Sequence, residues 1–311
     1  MRVIVVGLGV QGVKRQNIAG PECVATVDPV NPKADFKQVQ DVPINSYDAL
    51  LLCVPDEPKY HLIRYALVNK KHVLVEKPLW CETLEQIQEL EHLAATHKVV
   101  CYTAYNHRFE PHYMRMKELL DSGELGRIYH CRLFYGNGTA RLVRESAWRD
   151  AGDGVLPDLG SHLLDILHYW FGPEIQKRKF SILSRQCFEN KSPDHVVFGD
   201  LNSKMTIEVE MTLLSWRNHF TCDIFAEQGT AHIRSLCKWG PTTFTHRRRV
   251  LPSGKPPEES HTLAQSDPTW QLEYNHFKHL CASAPINADL NNDKWIHTEL
   301  ERLGSKELLI A

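Results

Sequence analysis

Val3-Ile4-Val5-Val6-Gly7-Leu8-Gly9-Val10-Gln11-Gly12 decides the fold. Four apolar residues run straight into a GxGxxG turn, and a helix is expected to open from it. A continuous apolar run, rather than an alternating one, marks a strand buried on both faces. In such a unit Gly7 permits the tight turn, Gly9 lets a pyrophosphate approach the backbone, and Gly12 lets helix and strand pack closely. The helix N-terminus then offers N–H groups and positive partial charge to phosphates, with Leu8, Val10 and Gln11 completing the loop. Asp28 ends the next apolar run, 21 residues after Gly7. An acid there accepts hydrogen bonds from an adenosine ribose diol and repels a 2′-phosphate. The expected cofactor is NAD in preference to NADP, with Arg15 or Lys33 as the residues that would pair with a 2′-phosphate instead. The competing reading is a plain glycine turn with Asp28 capping a loop.

Working outward, the same apolar signature recurs at Cys23–Val27, Leu50–Val54, His72–Val75 and Val99–Tyr102. Helical patterns separate the runs, clearest at Tyr60–Val68 and Thr83–Thr96. Strand–helix alternation predicts a doubly wound parallel sheet of the α/β Rossmann class. The pattern changes after Tyr105. Helices are expected at Pro111–Leu120 and Leu163–Phe171. Strands are expected at Arg127–Tyr135, Phe180–Ser184, Val196–Asp200, Met205–Leu213, Phe220–Ala226 and Thr230–Ile233. Consecutive strands without helices between them predict an antiparallel sheet in an α+β domain. Arg247–Arg249 and Pro252–Pro257 read as an exposed loop, and Trp270–Leu280 and Lys294–Leu303 as closing helices. The expected domains are 1–105 and 106–311, with the last helix free to pack back toward the first, and a single cleft is expected to use both.

Composition narrows the classes of function. The 311 residues carry 36 Lys and Arg against 38 Asp and Glu, a net charge of −2. A nucleic-acid or anionic-membrane partner usually needs a basic surface, so neither is expected. No apolar stretch approaches the roughly 18 residues of a membrane span. The nine cysteines are scattered and form no CxxC. They suit neither a disulfide framework nor a zinc site, so reduced thiols in a cytoplasmic protein are expected, with no metal. Trp216, Trp239 and Trp270 are core residues by default, or platforms for a sugar face.

Two further segments carry chemistry. Val75-Glu76-Lys77-Pro78-Leu79 puts a lysine at the carboxyl end of a parallel strand, where ligands bind in such sheets. Lysine shifts its pKa readily when buried and can serve in proton transfer, and Glu76 could hold its ammonium; a plain surface lysine is the alternative. In Gly152-Asp153-Gly154-Val155-Leu156-Pro157-Asp158-Leu159-Gly160-Ser161-His162, Asp158 and His162 are four apart. On a helix they share one face, where His162 can shuttle a proton near neutral pH. The alternative is a capped helix with His162 in a packing role.

Six motifs in order, GLGVQG at 7–12, CVPDEPKYH at 53–61, EKP at 76–78, YNHRF at 105–109, WRD at 148–150 and DLGSHLLD ending at Asp165, resemble the Gfo/Idh/MocA family. The resemblance covers nearly the whole chain. It implies an N-terminal Rossmann domain and a C-terminal domain built on a large, open, mostly antiparallel sheet that pairs copies into a homodimer or homotetramer. It also implies an NAD(P)-dependent oxidoreductase acting on a CH–OH carbon of a sugar, polyol or nucleotide sugar. Lys77, Asp158 and His162 would surround that carbon, with His162 as general base and the other two orienting the hydroxyl. Cys53, Val54, Pro55, Glu76, Lys77, Asn106, Trp148 and Arg149 match cofactor-facing positions, and Tyr105 and Arg108 substrate-facing ones. The alternatives are an NAD-dependent glycosidase-type hydrolase and a non-catalytic dinucleotide-binding protein. Two departures stand out. Lys59 occupies a position that is often His, and Gly152-Asp153-Gly154 replaces a run of three glycines, so that Asp153 either meets substrate or is solvated.

Overall fold

The computed structural model describes residues 1–147, 149–252, 254–286 and 288–305. The chain divides into two units, one formed by 1–106 with 269–298, the other by 107–268 with the chain from Glu299 onward.

In the first unit, strands β1 (Val3–Val6), β2 (Cys23–Val27), β3 (Ala49–Leu52), β4 (His72–Glu76) and β5 (Cys101–Ala104) form a parallel sheet in the order β2-β1-β3-β4-β5. Helices α1 (Val10–Ala19), α2 (Asp56–Val68) and α3 (Leu84–His97) follow β1, β3 and β4, while β2 and β3 are joined by a segment with two short 3-10 turns. The continuous apolar runs are explained by burial on both faces. Ile4, Val6, Leu50, Leu52, Val73 and Val75 pack with Ile63 and Leu67 of α2 and Ile87 and Leu90 of α3. Their neighbours Val3, Val5, Leu51 and Leu74 turn the other way, against Ala19 of α1 and Tyr274 and Phe277 of a helix near the C-terminus, Thr269–Ala282. Each fully buried side chain of this kind contributes about 1.5–3 kcal/mol.

Two glycines of the β1–α1 turn have no room for a side chain. Gly7 has φ +88°, and a Cβ there would lie 2.4 Å from the Cys53 carbonyl oxygen. A Cβ on Gly12 would lie 1.7 Å from the Gly7 carbonyl oxygen. Gly12→Ala is therefore expected to force α1 off the strand, at a cost of about 1–3 kcal/mol or more. A thermal melt and an NADH titration check this; an unchanged melting temperature with parent affinity would refute it.

The second unit runs α4 (Pro111–Ser122), β6 (Ile128–Gly136), α5 (Ala140–Arg144), α6 (Ser161–Phe171), β7 (Ser181–Gln186), β8 (His195–Asp200), β9 (Thr206–Thr212), β10 (His219–Ala226), β11 (Gly229–Arg234), β12 (Thr242–Arg248) and β13 (Glu258–Leu263). Its sheet has the order β13-β12-β11-β10-β6-β9-β8-β7, antiparallel throughout except for the β6–β9 pair. Alternation gives it one buried face, with Cys131, Leu133, Val209, Met211, Phe220, Ile224 and Ile233 at 0% exposure. The opposite face carries charge: Arg132 pairs with Glu208 at 3.0 Å and Arg234 with Asp223 at 2.6 Å. Helices α4 and α6 are joined by the Trp170 Nε1–H, which donates to the Tyr113 carbonyl at 3.0 Å. α7 (Thr269–Ala282) returns to the first unit, and α8 (Asn291–Gly304) contributes to both.

The expected loop at Arg247–Arg249 needs correction. Arg247 and Arg248 end β12, and Arg247 pairs with Glu258 of β13 at 2.6 Å. β13 is an edge strand without an apolar face, so its sequence, Glu-Glu-Ser-His-Thr-Leu, carries no alternation signal. Among the described residues, no helix is long and apolar enough to cross a membrane.

Candidate active site

The carboxyl ends of all five parallel strands carry residues singled out from the sequence: Gly7 after β1, Asp28 after β2, Cys53 after β3, Lys77 after β4, and Tyr105 and Asn106 after β5. In open α/β sheets ligands bind at this edge, where the strand order reverses beside β1. Gly9 caps α1 without a side-chain bond, and a Cβ there would meet nothing within 4 Å. Open space over Gly9 next to close packing at Gly7 and Gly12 is the shape a pyrophosphate cradle requires. Exposed Val10 and Gln11 form the first turn. The residues present therefore fit a dinucleotide.

Asp28 does two jobs in this geometry. Its Oδ2 accepts from the Leu8 N–H at 2.7 Å, and its Oδ1 accepts from the Val30 and Asn31 N–H groups at 2.8 Å. Burial raises the carboxyl pKa, but these backbone donors and Lys37 outweigh it and hold the group below the usual carboxylate range. Asp28 thus stays ionised and pins the glycine loop to the end of β2.

Arg15 is not available for a 2′-phosphate. It lies on the buried stripe of α1 with Gly12 and Ala19 and is 0% exposed. Its Nε donates to Glu76 at 2.7 Å, its Nη2 to Glu273 at 2.6 Å, and its guanidinium lies 4.3 Å from the Trp270 ring centroid. Burial opposes the charge, but the two carboxylates overcome it and keep Arg15 protonated. The Glu76 carboxylate, expected to hold the Lys77 ammonium, is thus tied to α1. Beside it, Lys59 is 2% exposed and donates to Asp56 Oδ1 at 2.7 Å and to the Pro78 carbonyl at 2.8 Å. Burial lowers the Lys59 pKa, partly offset by Asp56. The Cys53 thiol is pushed up by burial, Val54 is half-buried, and Pro55 precedes the first turn of α2. Tyr105 is buried, and the Asn106 amide donates to Thr269 Oγ1 at 2.8 Å.

In the second unit, Asp158 sits in a single π-helical turn, Leu156–Gly160, that leads into α6. Such turns often occur at functional sites. Asp158 pairs with Arg149 at 3.6 Å. His162 lies in the first turn of α6 and is 8% exposed. Arg108 is clamped by both oxygens of Asp165 on α6. Asp153 pairs with Arg185 at 3.2 Å. Trp148 lies outside the described residues. Sequence reasoning missed His107, Tyr135 and Lys238, which gather around His162: its ring stacks on His107 at 3.8 Å, and Lys238 donates to His107 Nε2 at 2.7 Å. His107 stood inside a motif already quoted, but Lys238 had no local signal. Of the tryptophans, Trp270 is buried, Trp216 is 84% exposed, and Trp239 packs its ring 5.5 Å from that of Tyr135.

Comparison with known proteins bears on the family and the fold. Residues 5–105 match the family model described as an oxidoreductase family with an NAD-binding Rossmann fold, and residues 113–232 match that of the GFO/IDH/MocA C-terminal domain. The chain belongs to the Gfo/Idh/MocA family. An uncharacterised oxidoreductase of Synechocystis is 35% identical over 130 residues, 40% of this chain and 34% of that protein. Glucose-6-phosphate 3-dehydrogenase of Bacillus subtilis is 25% identical over 187 residues, 56% of this chain and 53% of that protein. The match thus spans between about a third and about half of these relatives' lengths. An inositol dehydrogenase homolog from Azotobacter vinelandii, solved with NADH and myo-inositol, aligns with a TM-score of 0.77 over 97% of this chain and 94% of its own, at 16% identity. That likeness establishes a shared fold.

Proposed function

We propose that the protein is an NAD-dependent oxidoreductase that moves a hydride between nicotinamide and a hydroxyl-bearing carbon of a sugar, polyol or nucleotide sugar. The observation that carries this reading is the row of strand ends, with open space over Gly9 at one and Asp28 and Lys77 at others. The nicotinamide, when bound, supplies the hydride chemistry. The chain handles the proton and the geometry. His162 takes the hydroxyl proton in the oxidative direction, since an imidazole ordinarily titrates at about 6.5. Lys77 donates to the substrate oxygen, and Asp158, braced by Arg149, orients the hydroxyl. The names of the relatives, an inositol and a hexose phosphate dehydrogenase, support a carbohydrate-like substrate. The reading includes a cytoplasmic location, suited to nine free thiols, and pairing of copies through the eight-stranded sheet.

The test is a screen of NAD reduction and thermal shift with inositols, uronates, hexose phosphates and UDP- or GDP-sugars. NADH formation with one class supports the reading. Tight NADH binding without turnover on any of them overturns it in favour of a non-catalytic binder. Cofactor choice has its own test. Asp28→Ala should weaken NADH by about 10- to 100-fold, the value of charge-assisted bonds to a diol. NADPH should weaken much less, because loosening of the loop affects both cofactors but the diol contact affects one. Equal weakening in fluorescence titrations would remove the argument for NAD.

A further inference from the structure

Two imidazoles in the second unit lie face to face. The His107 and His162 centroids are 3.8 Å apart and their planes differ by 14°. Both rings are nearly buried, at 2% and 8% exposure. Two imidazolium ions at that spacing would repel strongly in a partly desolvated site, so the stack takes up one proton at a time. Which ring receives it is decided by a third group. Lys238 Nζ lies 2.7 Å from His107 Nε2 and 3.4 Å from Tyr135 Oη. An ammonium has donors only, so His107 Nε2 accepts, and that ring carries its hydrogen on Nδ1. A ring engaged in this way is neutral.

We propose that Lys238 and His107 are positioning residues for His162: Lys238 fixes His107 as the neutral Nδ1–H imidazole, and the stack thereby reserves its one proton for His162. The inference rests on the reading of His162 as the group that takes the substrate proton. It adds two residues with no part in the Lys77–Asp158–His162 set.

The other charged and titratable groups around the stack are consistent with this assignment. Tyr135 on β6 lies 6.5 Å from the His162 ring, and its phenol is pushed up by burial, then by Asp158 and Glu110, so it remains a neutral hydroxyl. Tyr113 on α4, 6.3 Å from His107, is likewise raised by burial. Glu110, ahead of α4, accepts from the Cys237 N–H at 3.1 Å, and burial raises its carboxyl. Asp158 is paired with Arg149, and Asp165 with Arg108. Lys238 itself lies over the Trp239 ring, 4.6 Å from its centroid.

The decisive variant is Lys238→Met. Removing the ammonium takes a positive charge from beside the stack and opens His107 Nε2 as a second proton site. Both changes favour proton uptake, so the acidic limb of kcat against pH, in the oxidative direction, should move up by about half a unit to one unit. Lys238→Arg keeps a charged donor and should hold the parent profile. A direct readout needs no turnover: in 15N-imidazole NMR of the parent protein, the His107 signal, identified by its loss in His107→Asn, should show the Nδ1–H tautomer and not titrate between about pH 5 and 8. An unmoved limb in a folded Lys238→Met, or a titrating His107 in the parent, overturns the proposal. Parent activity in His162→Gln would overturn the underlying reading of His162 as the base, whatever the tautomer of His107.

Discussion

Lys77→Ala is expected to lower kcat by about 10² or more, the usual worth of a positioned proton-transfer group. The melting temperature should stay near that of the parent. The two halves of this expectation come from different parts of the structure. The loss follows from the placement of Lys77 just past β4, at the ligand edge of the sheet. The retained stability follows from how its loop is held. Lys59 bonds the Pro78 carbonyl at 2.8 Å, and Glu76 is tied to Arg15 at 2.7 Å, so the backbone is anchored on both sides of Lys77 by other side chains. Initial rates on the substrate found in the screen, together with a thermal melt, check both. Parent-level kcat would remove Lys77 from the catalytic set. A collapse in melting temperature would instead show that the lysine is part of the scaffold.

Arg15→Met should have the reverse profile. It removes the guanidinium that pairs with Glu273, which is 0% exposed, and with Glu76. Breaking a buried pair by removing one partner costs about 3–5 kcal/mol. At about 2–4 °C per kcal/mol for a unit of this size, the melting temperature should fall by about 6–20 °C. The double variant Arg15→Met with Glu273→Met should recover a large part of the loss, because an apolar pair of similar volume replaces a desolvated ionic one. A single variant within about 1 kcal/mol of the parent in a denaturant titration would show that the pair is better solvated than its burial indicates.

The sequence was most informative where one residue type answers one local demand. The β1 run is continuous because Val3 and Val5 feed one core and Ile4 and Val6 the other. The GxGxxG loop is legible because Gly7 and Gly12 stand where a Cβ would meet a carbonyl. The Asp158–His162 spacing is legible because both lie in consecutive helical turns. What failed depends on contacts distant in the chain or on edges. Lys238 reaches His107 across 131 residues through the order of the sheet, which no local pattern reports. β13 packs no core and so shows no alternation. Arg15 does carry a local signal: with Gly12 and Ala19 it falls at helical spacing on one stripe, the pattern of a buried charge and not of a phosphate ligand.

The Tyr274–Phe277 cover on the first unit's sheet also constrains the order of events on the ribosome. Strands β1 to β5 emerge within the first 104 residues, yet the side of the sheet bearing Val3, Val5, Leu51 and Leu74 shares its cover between α1 and α7, and α7 starts only at Thr269. The N-terminal unit is therefore first to be synthesised but cannot be first to finish. During translation of the whole second unit it carries an apolar sheet face covered in part by α1, a period in which a nascent chain is open to aggregation and to chaperone capture. A chain released before residue 269 would be left in that state.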